Sequence, residues 1–233
     1  MEKLEVLYED NHIIAINKTN SDLVQGDQTG DETLSDAVKE YIKEKYKKPG
    51  EVYLGIVHRL DRPVSGVVLF ARTSKALVRL NKMFEEKTVK KTYWAIVRTL
   101  PPNDSDTLSH YLLRDNLKNK SHAHNSEKHG SKLAILHYSL ISSIDNYHLL
   151  EVDLETGRHH QIRCQLAKIG SPIKGDLKYG FPRSNVNGGI SLHARRIEFV
   201  HPVTLQKIII EAPLPKDEPL WFEFKNVVSR KSR

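Results

Sequence analysis

Eight or more short β-rich runs stand in this chain against only three stretches with helical periodicity, and the two kinds do not alternate one for one. That pattern argues against a chain of βαβ crossovers. It predicts an α+β fold: a mixed, largely antiparallel sheet with hairpin connections and flanking helices. The opening hairpin has strands over 4–8 and 12–17 around the turn formers Asp10 and Asn11. Residues 33–46 carry Leu34, Ala37, Val38, Tyr41 and Ile42 at the spacing of an amphipathic helix, with Asp31 or Thr33 as cap and Pro49-Gly50 as stop. Strands follow at 54–58 and 67–71, then a second helix over 75–87 behind Thr73 or Ser74, then a strand over 91–97. Further strands are expected at 133–141, 147–154, 190–200 and 207–212, with a third helix starting near His159 and ended by Gly170. Residues 171–189 read as a glycine- and proline-rich loop. No internal repeat and no break in composition marks a second domain, so residues 1–233 are expected to form a single one.

Charge narrows the partners. Lysine plus arginine outnumber aspartate plus glutamate by 36 to 29, a net charge of +7 that favours a polyanion. The excess is local: residues 117–132 hold four lysines and three histidines against one glutamate and read as a long exposed basic loop. Its His122, His124 and His129 lack carboxylate or cysteine companions, so no metal site is expected there. The one cysteine, Cys164, excludes an intrachain disulfide and a cysteine-built zinc site, and reads as a small buried hydrophobe. There is no 18-residue apolar run, and the first residues lack the apolar stretch of a secretory signal, so a cytoplasmic protein is expected.

Three constellations could carry chemistry. Residues 58–66, His-Arg-Leu-Asp-Arg-Pro-Val-Ser-Gly, set Asp61 between Arg59 and Arg62 at a strand end, where two guanidinium groups favour a charged carboxylate. A structural ion pair at a turn would leave the same trace. Residues 155–163 crowd Arg158, His159, His160, Gln161 and Arg163 into the start of a helix, a place suited to phosphate or to clamping a carboxylate. Adjacent helical residues point about 100° apart, so the two histidines are expected to make structural hydrogen bonds rather than share a metal. Lys91 and Tyr93, two apart on a strand, put a cation and an aromatic ring on one face, as readers of single-stranded RNA do.

Together these segments resemble the RluA-type pseudouridine synthases. Residues 58–66 are similar to the family's HRLDRxTSG motif, 91–97 to its KxYxAxV strand and 155–163 to its ETGRxHQIR motif. Asp10, Asn17-Lys18, the run Pro172-Ile173-Lys174-Gly175-Asp176, Tyr179-Gly180, Leu192-His193-Ala194 and His201-Pro202 match as well, in the expected order. The chain departs from the family after Asn17-Lys18, where Thr19 and Ser21 replace the usual proline and glycine. The resemblance implies a catalytic domain with a central RNA-binding cleft and without the small N-terminal S4 module of many relatives. It implies isomerisation of uridine in ribosomal or transfer RNA, with no metal or nucleotide cofactor. Asp61 would be the catalytic aspartate, Tyr93 the aromatic that stacks on the target base and Arg163 the basic residue paired with the aspartate. Arg59, Arg62, Lys91 and Arg158 would shape the pocket or hold phosphate, and Lys118, Lys120 and Lys128 would touch the RNA backbone. No obligate protein partner is evident and a monomer is expected. The alternatives are a non-catalytic RNA-binding protein of the same fold, or a hydrolase using Asp61 with His159 or His160.

Overall fold

The computed structural model describes residues 4–26 and 32–231. The elements in chain order begin with β1 (Val6–Glu9), β2 (Ile13–Lys18), α1 (Leu34–Lys45), β3 (Gly55–Ile56), β4 (Ser65–Ala71) and α2 (Ser74–Glu85). They continue with β5 (Lys90–Val97), β6 (Ser105–Asp115), β7 (Lys120–His124), β8 (Lys132–Ile144) and β9 (Tyr147–Leu154). The chain closes with α3 (Gln161–Lys168), a single 3-10 turn (Leu177–Tyr179), β10 (Leu192–Val200), β11 (Lys207–Glu211) and α4 (Pro219–Lys231). Helices flanking a mixed sheet with many antiparallel pairs make this an α+β protein. Among the described residues no helix is long and apolar enough to cross a membrane.

The chain divides into two compact units, Met1–Val89 with Ala194–Pro213, and Lys90–His193 with Leu214–Arg233. In the first, the strand order runs β1-β2-β4-β10, with β11 on β10 and β3 on β4. Every residue of β4 is buried, as its unbroken apolar run requires, and each large side chain there contributes roughly 1.5–3 kcal/mol. β2 pairs with β4 from Ile13 opposite Ala71 to Lys18 opposite Gly66. Thr33 caps α1 by accepting the Asp36 N–H, and Thr73 caps α2 by accepting from Ala76, each worth about 1 kcal/mol. The other cap candidate, Asp31, lies outside the described residues. Asp10 closes the first hairpin by accepting the N–H groups of His12 and Ile13, and pairs with His201 Nε2 at 2.8 Å.

In the second unit the order is β5-β9-β8-β6-β7, all antiparallel. Strand alternation sends Ile96 and Leu149 to one face, under Trp221 and Phe224 of α4. Leu112 and Ala134 on the other face pack against Cys164 of α3 and Tyr179. Cys164 is the buried hydrophobe expected, and burial pushes its thiol up to about 11.

Several expectations change. The basic stretch 117–132 is not one long loop: β7 pairs with β6 from Tyr111 opposite His124 to Asp115 opposite Lys120. Its inward residues are Ser121 and Ala123, too small and too polar to write an apolar alternation. Likewise β6 and α4 carry no element in the sequence reading, and the 171–189 loop holds the 3-10 turn. The third helix begins at Gln161, because His160 takes a left-handed conformation (φ 53°). His159 and His160 are therefore not helical neighbours 100° apart. Their rings stack, with centroids 3.8 Å apart.

Candidate active site

In the first unit, the turn before β4 is held from three sides. Val64 N–H donates to the Asp61 carbonyl at 3.0 Å and closes it. His58 accepts the Leu69 N–H on Nε2 and stacks on Phe84 with centroids 5.1 Å apart, fixing the entry to the turn. Lys18, at 1% exposure, donates its ammonium protons to the carbonyls of Thr19 (2.8 Å), Arg62 (3.0 Å) and Val64 (2.7 Å). Three carbonyls satisfy all three donors of one ammonium. Leu60 and Val64 point inward, Asp61 is half-buried, and Arg59 and Arg62 are exposed. The side chains thus alternate so that one carboxylate is presented between two solvent-facing cations. Sequence reasoning quoted Lys18 within a motif and gave it no role; its partners lie 44 and 46 positions away, which no local pattern reveals.

Burial lowers the Lys18 ammonium to about 7; the charges of Asp22 and Asp61 counter this, and Arg62 adds to it. An unfolded chain keeps this lysine protonated up to its ordinary value of 10.5. Between about 7 and 10.5 the unfolded state therefore binds the extra proton, and the stability of the native chain rises with pH across that window. Lys18→Met should lose this slope and leave two turn carbonyls without their donor, costing about 1–3 kcal/mol near neutrality. Urea unfolding at pH 6, 7.5 and 9 checks it: the gap between wild type and variant should widen with pH, and a constant gap would count against the assignment.

The second unit carries Lys91, Tyr93, Arg158 and Arg163. Tyr93 is buried on β5 opposite Val152, which sits opposite Tyr138, so it shares the sheet face on which α3 packs. Lys91 lies on the same face, close to the backbone of Gly157, and burial lowers its ammonium. The start of α3 is organised by Gln161, whose Oε1 accepts from the Thr156 hydroxyl (2.8 Å) and the Arg158 N–H (2.9 Å). Arg158 is exposed, with Nε donating to the Leu133 carbonyl at 3.1 Å.

One turn along, Arg163 is buried and forms a two-point pair with Asp176, Nε to Oδ2 at 2.7 Å and Nη2 to Oδ1 at 2.9 Å. This fork fixes the plane of the guanidinium. Tyr179 lies beneath it, with the Arg163 guanidinium 5.2 Å and the Lys120 ammonium 5.0 Å from its ring centre. Its hydroxyl accepts the Ser121 N–H at 2.8 Å and pairs with His160 Nδ1 at 3.0 Å. Burial, then the charges of Arg163 and His159, holds the His160 imidazole down at about 2, so it stays neutral. Burial pushes the Tyr179 phenol up, so it too stays neutral. Asp176 and Tyr179 had been quoted only as motif matches. An acid 13 residues from its arginine, across a loop, leaves no periodic signal.

The basic residues of the 117–132 stretch do not form one patch. Lys118 sits in the turn between β6 and β7, Lys120 begins β7, and Lys128 lies beyond the other end of β7 in a turn closed by Ser131.

Comparison with known proteins follows the same residues. A family model described as RNA pseudouridylate synthase matches residues 12–168. An uncharacterized RNA pseudouridine synthase of Bacillus subtilis, YhcT, is 34% identical over 220 residues, covering 92% of this chain and 70% of its own. Ribosomal large subunit pseudouridine synthase C of Buchnera aphidicola (strain APS) is 34% identical over 221 residues, covering 91% of this chain and 68% of its own. The solved structure of human RNA Pseudouridylate Synthase Domain Containing 4 superposes with a TM-score of 0.78 at 22% identity, over 94% of this chain and 92% of that one, a likeness of fold.

Proposed function

Because the chain belongs to the RNA pseudouridylate synthase family, and is of the RluA type, it is an RNA uridine-to-pseudouridine isomerase, and we propose that Asp61 is its catalytic carboxylate. The observation that carries this reading is the pinned turn: a half-buried carboxylate, held by backbone bonds and by Lys18, between two exposed arginines. A nucleophile or base must be held in place to act, and a rigid turn at a strand end supplies that.

In the proposed reaction the glycosidic bond between N1 and C1′ breaks, with Asp61 either attacking C1′ or removing the C2′ proton. The freed uracil turns and C5 bonds to C1′, which releases the Asp61 carboxylate if it had bonded to C1′, or is accompanied by return of the proton to C2′ if Asp61 had removed it; the C5 proton leaves and N1 gains one. Atoms and electrons balance within the substrate, so no redox or metal cofactor is required. Tyr93 offers a π-face to the displaced pyrimidine, and Arg163, its plane set by Asp176, is the basic residue that orients the aspartate. Arg59, Arg62, Lys91 and Arg158 shape the pocket or hold phosphate, while Lys118, Lys120 and Lys128 meet the RNA backbone. The chain from 1 to 233 works as a single catalytic domain, as a cytoplasmic monomer.

Ribosomal RNA of the large subunit, the substrate in the names of relatives from Buchnera and Neisseria, is the favoured target, with transfer RNA as the other arm of the test. The experiment is tritium release from C5-labelled uridine in separate ribosomal and transfer RNA pools. Release from either pool supports the isomerase reading and selects the substrate. Tight RNA binding with no release from both would replace it with a non-catalytic RNA-binding protein.

A further inference from the structure

Lys18 is followed by the segment in which the chain departs from its family's pattern, Thr19 to Asp22. That segment is a fixed turn. Asp22 Oδ2 accepts the Thr19 N–H at 3.1 Å and the Thr19 hydroxyl at 2.8 Å, and the Ser21 hydroxyl lies 3.2 Å from Thr19 Oγ1. Beyond it the chain is tied to the start of α1: the Leu34 N–H donates to the Leu23 carbonyl at 2.6 Å, and the Ser35 N–H to that of Val24 at 3.2 Å. Residue 19 links a half-buried carboxylate to a buried ammonium. Its N–H and hydroxyl go to Asp22, and its carbonyl takes a proton from Lys18. Lys18, Asp22 and the turn of Asp61 all belong to the first unit.

The ammonium needs a counter-charge. Its three protons all go to carbonyls, which satisfy the donors but leave the charge uncompensated, and a buried cation without an anion tends to shed its proton. Burial lowers Lys18 to about 7; Asp22 and, after it, Asp61 oppose the fall, while the Arg62 cation adds to it. Among the described residues these are the charged groups that reach it, one from the loop after β2 and two from the turn before β4. They are not equivalent during the reaction. Asp61 spends its charge at the first step on either route, becoming an ester if it attacks C1′ and a carboxylic acid if it takes the C2′ proton. In that interval Arg62 still repels the ammonium, and of the two carboxylates Asp22 alone still attracts it. A neutral amine has two N–H donors and a lone pair, so loss of the proton would free one of the three carbonyls while the turn carries the intermediate.

We propose that Asp22 is a positioning residue for the reaction at Asp61: its fixed negative charge keeps Lys18 an ammonium, and so keeps the turn pinned, while Asp61 is neutral. The proposal rests on the reading of Asp61 as the reactive carboxylate. Proline at position 19 would offer Asp22 neither an N–H nor a hydroxyl, so the chain's departure from the family pattern at that position is what fixes the carboxylate.

The test is the single-turnover rate of tritium release from C5-labelled uridine in ribosomal and transfer RNA, followed from about pH 5.5 to 9 at saturating enzyme. Asp22→Asn removes the charge and keeps an acceptor for Thr19, so the loop should stay folded. Its alkaline limb should begin about one pH unit below that of the wild type, making it about tenfold slower near pH 8 and within about twofold near pH 6. The same shift should show without RNA: in urea, the rise of stability with pH should begin about one pH unit lower in the variant. Thr19→Val removes one bond to the carboxylate but not its charge, and should keep the wild-type limb. An Asp22→Asn profile parallel to that of an active wild type at every pH, whether equal or uniformly lower, overturns the proposal and leaves the isomerase reading standing. An equal shift of the limb in Thr19→Val does the same. Undiminished release by Asp61→Asn, or no release by the wild type, overturns the reading on which the proposal rests.

Discussion

Asp61→Asn is expected to bring pseudouridine formation down by about 10,000-fold or more, to the limit of a tritium-release assay, while RNA affinity stays within a few-fold of wild type. The amide is nearly the size of the carboxylate and sits in a turn whose backbone is held independently of the side chain, by the Val64 N–H and by the three carbonyl contacts of Lys18. The fold should therefore survive, and the thermal midpoint should move little. What disappears is the lone pair that attacks the sugar or takes its proton, and the negative charge that the cationic surroundings were arranged to meet. A variant that still released tritium at more than a hundredth of the wild-type rate would remove Asp61 from the reaction, and Arg59 and Arg62 would then be read as phosphate contacts flanking a structural turn.

The second large effect is on folding. Gly66→Ala should destabilise the chain by more than about 4 kcal/mol, enough to leave much of it unfolded or insoluble. Gly66 has φ +116°, where an L side chain is strained, and a Cβ added there would lie 2.3 Å from the carbonyl oxygen of Ala194 and 2.6 Å from its amide nitrogen. Both are backbone atoms of a neighbouring buried segment and cannot swing away as a side chain would. Gly66 also stands opposite Lys18 in the β2–β4 ladder, so any shift that relieved the clash would pull on the lysine that holds the turn. Urea unfolding of the soluble fraction, or its absence, is the readout. A variant within about 1 kcal/mol of wild type would mean that the strand ladder yields far more readily than its complete burial suggests.

Where side chains wrote their environment into the sequence, the reading held. The apolar run Val67 to Ala71 announced a strand, and the stripes of α1 and α2 announced helices, for which Thr33 and Thr73 proved to be the caps among the candidates offered. It failed where the buried residues were small or polar. The inward side of β6 and β7 includes Leu112, Ser121 and Ala123, a mixture with no apolar rhythm. For α4 the signal was present, in Trp221, Phe224 and Val228 behind Pro219, and went unused. In the candidate site, Asp61, Tyr93 and Arg163 were named through motif resemblance alone. The residues that hold them were not: Lys18 acts on carbonyls more than 40 positions away, and Asp176 reaches Arg163 across a loop. Long-range polar pairs obey no spacing rule, so only the folded chain displays them.

The way the two units share the chain has a bearing on its synthesis. The first unit is made of residues 1–89 and 194–213, interrupted by most of the second, and the second is finished only by residues 214–233. A nascent chain that has delivered β1 to β4 therefore lacks β10, the neighbour of β4 beyond its short pairing with β3. At about 5–20 residues per second, the roughly 120 residues from the end of β4 to the start of β10 mean about 6–24 s during which a wholly buried strand awaits its partner. Neither unit can be released early as a finished product. The protein should depend on chaperones during translation more than its modest size suggests, and fragments ending anywhere between β4 and β10 should be aggregation-prone.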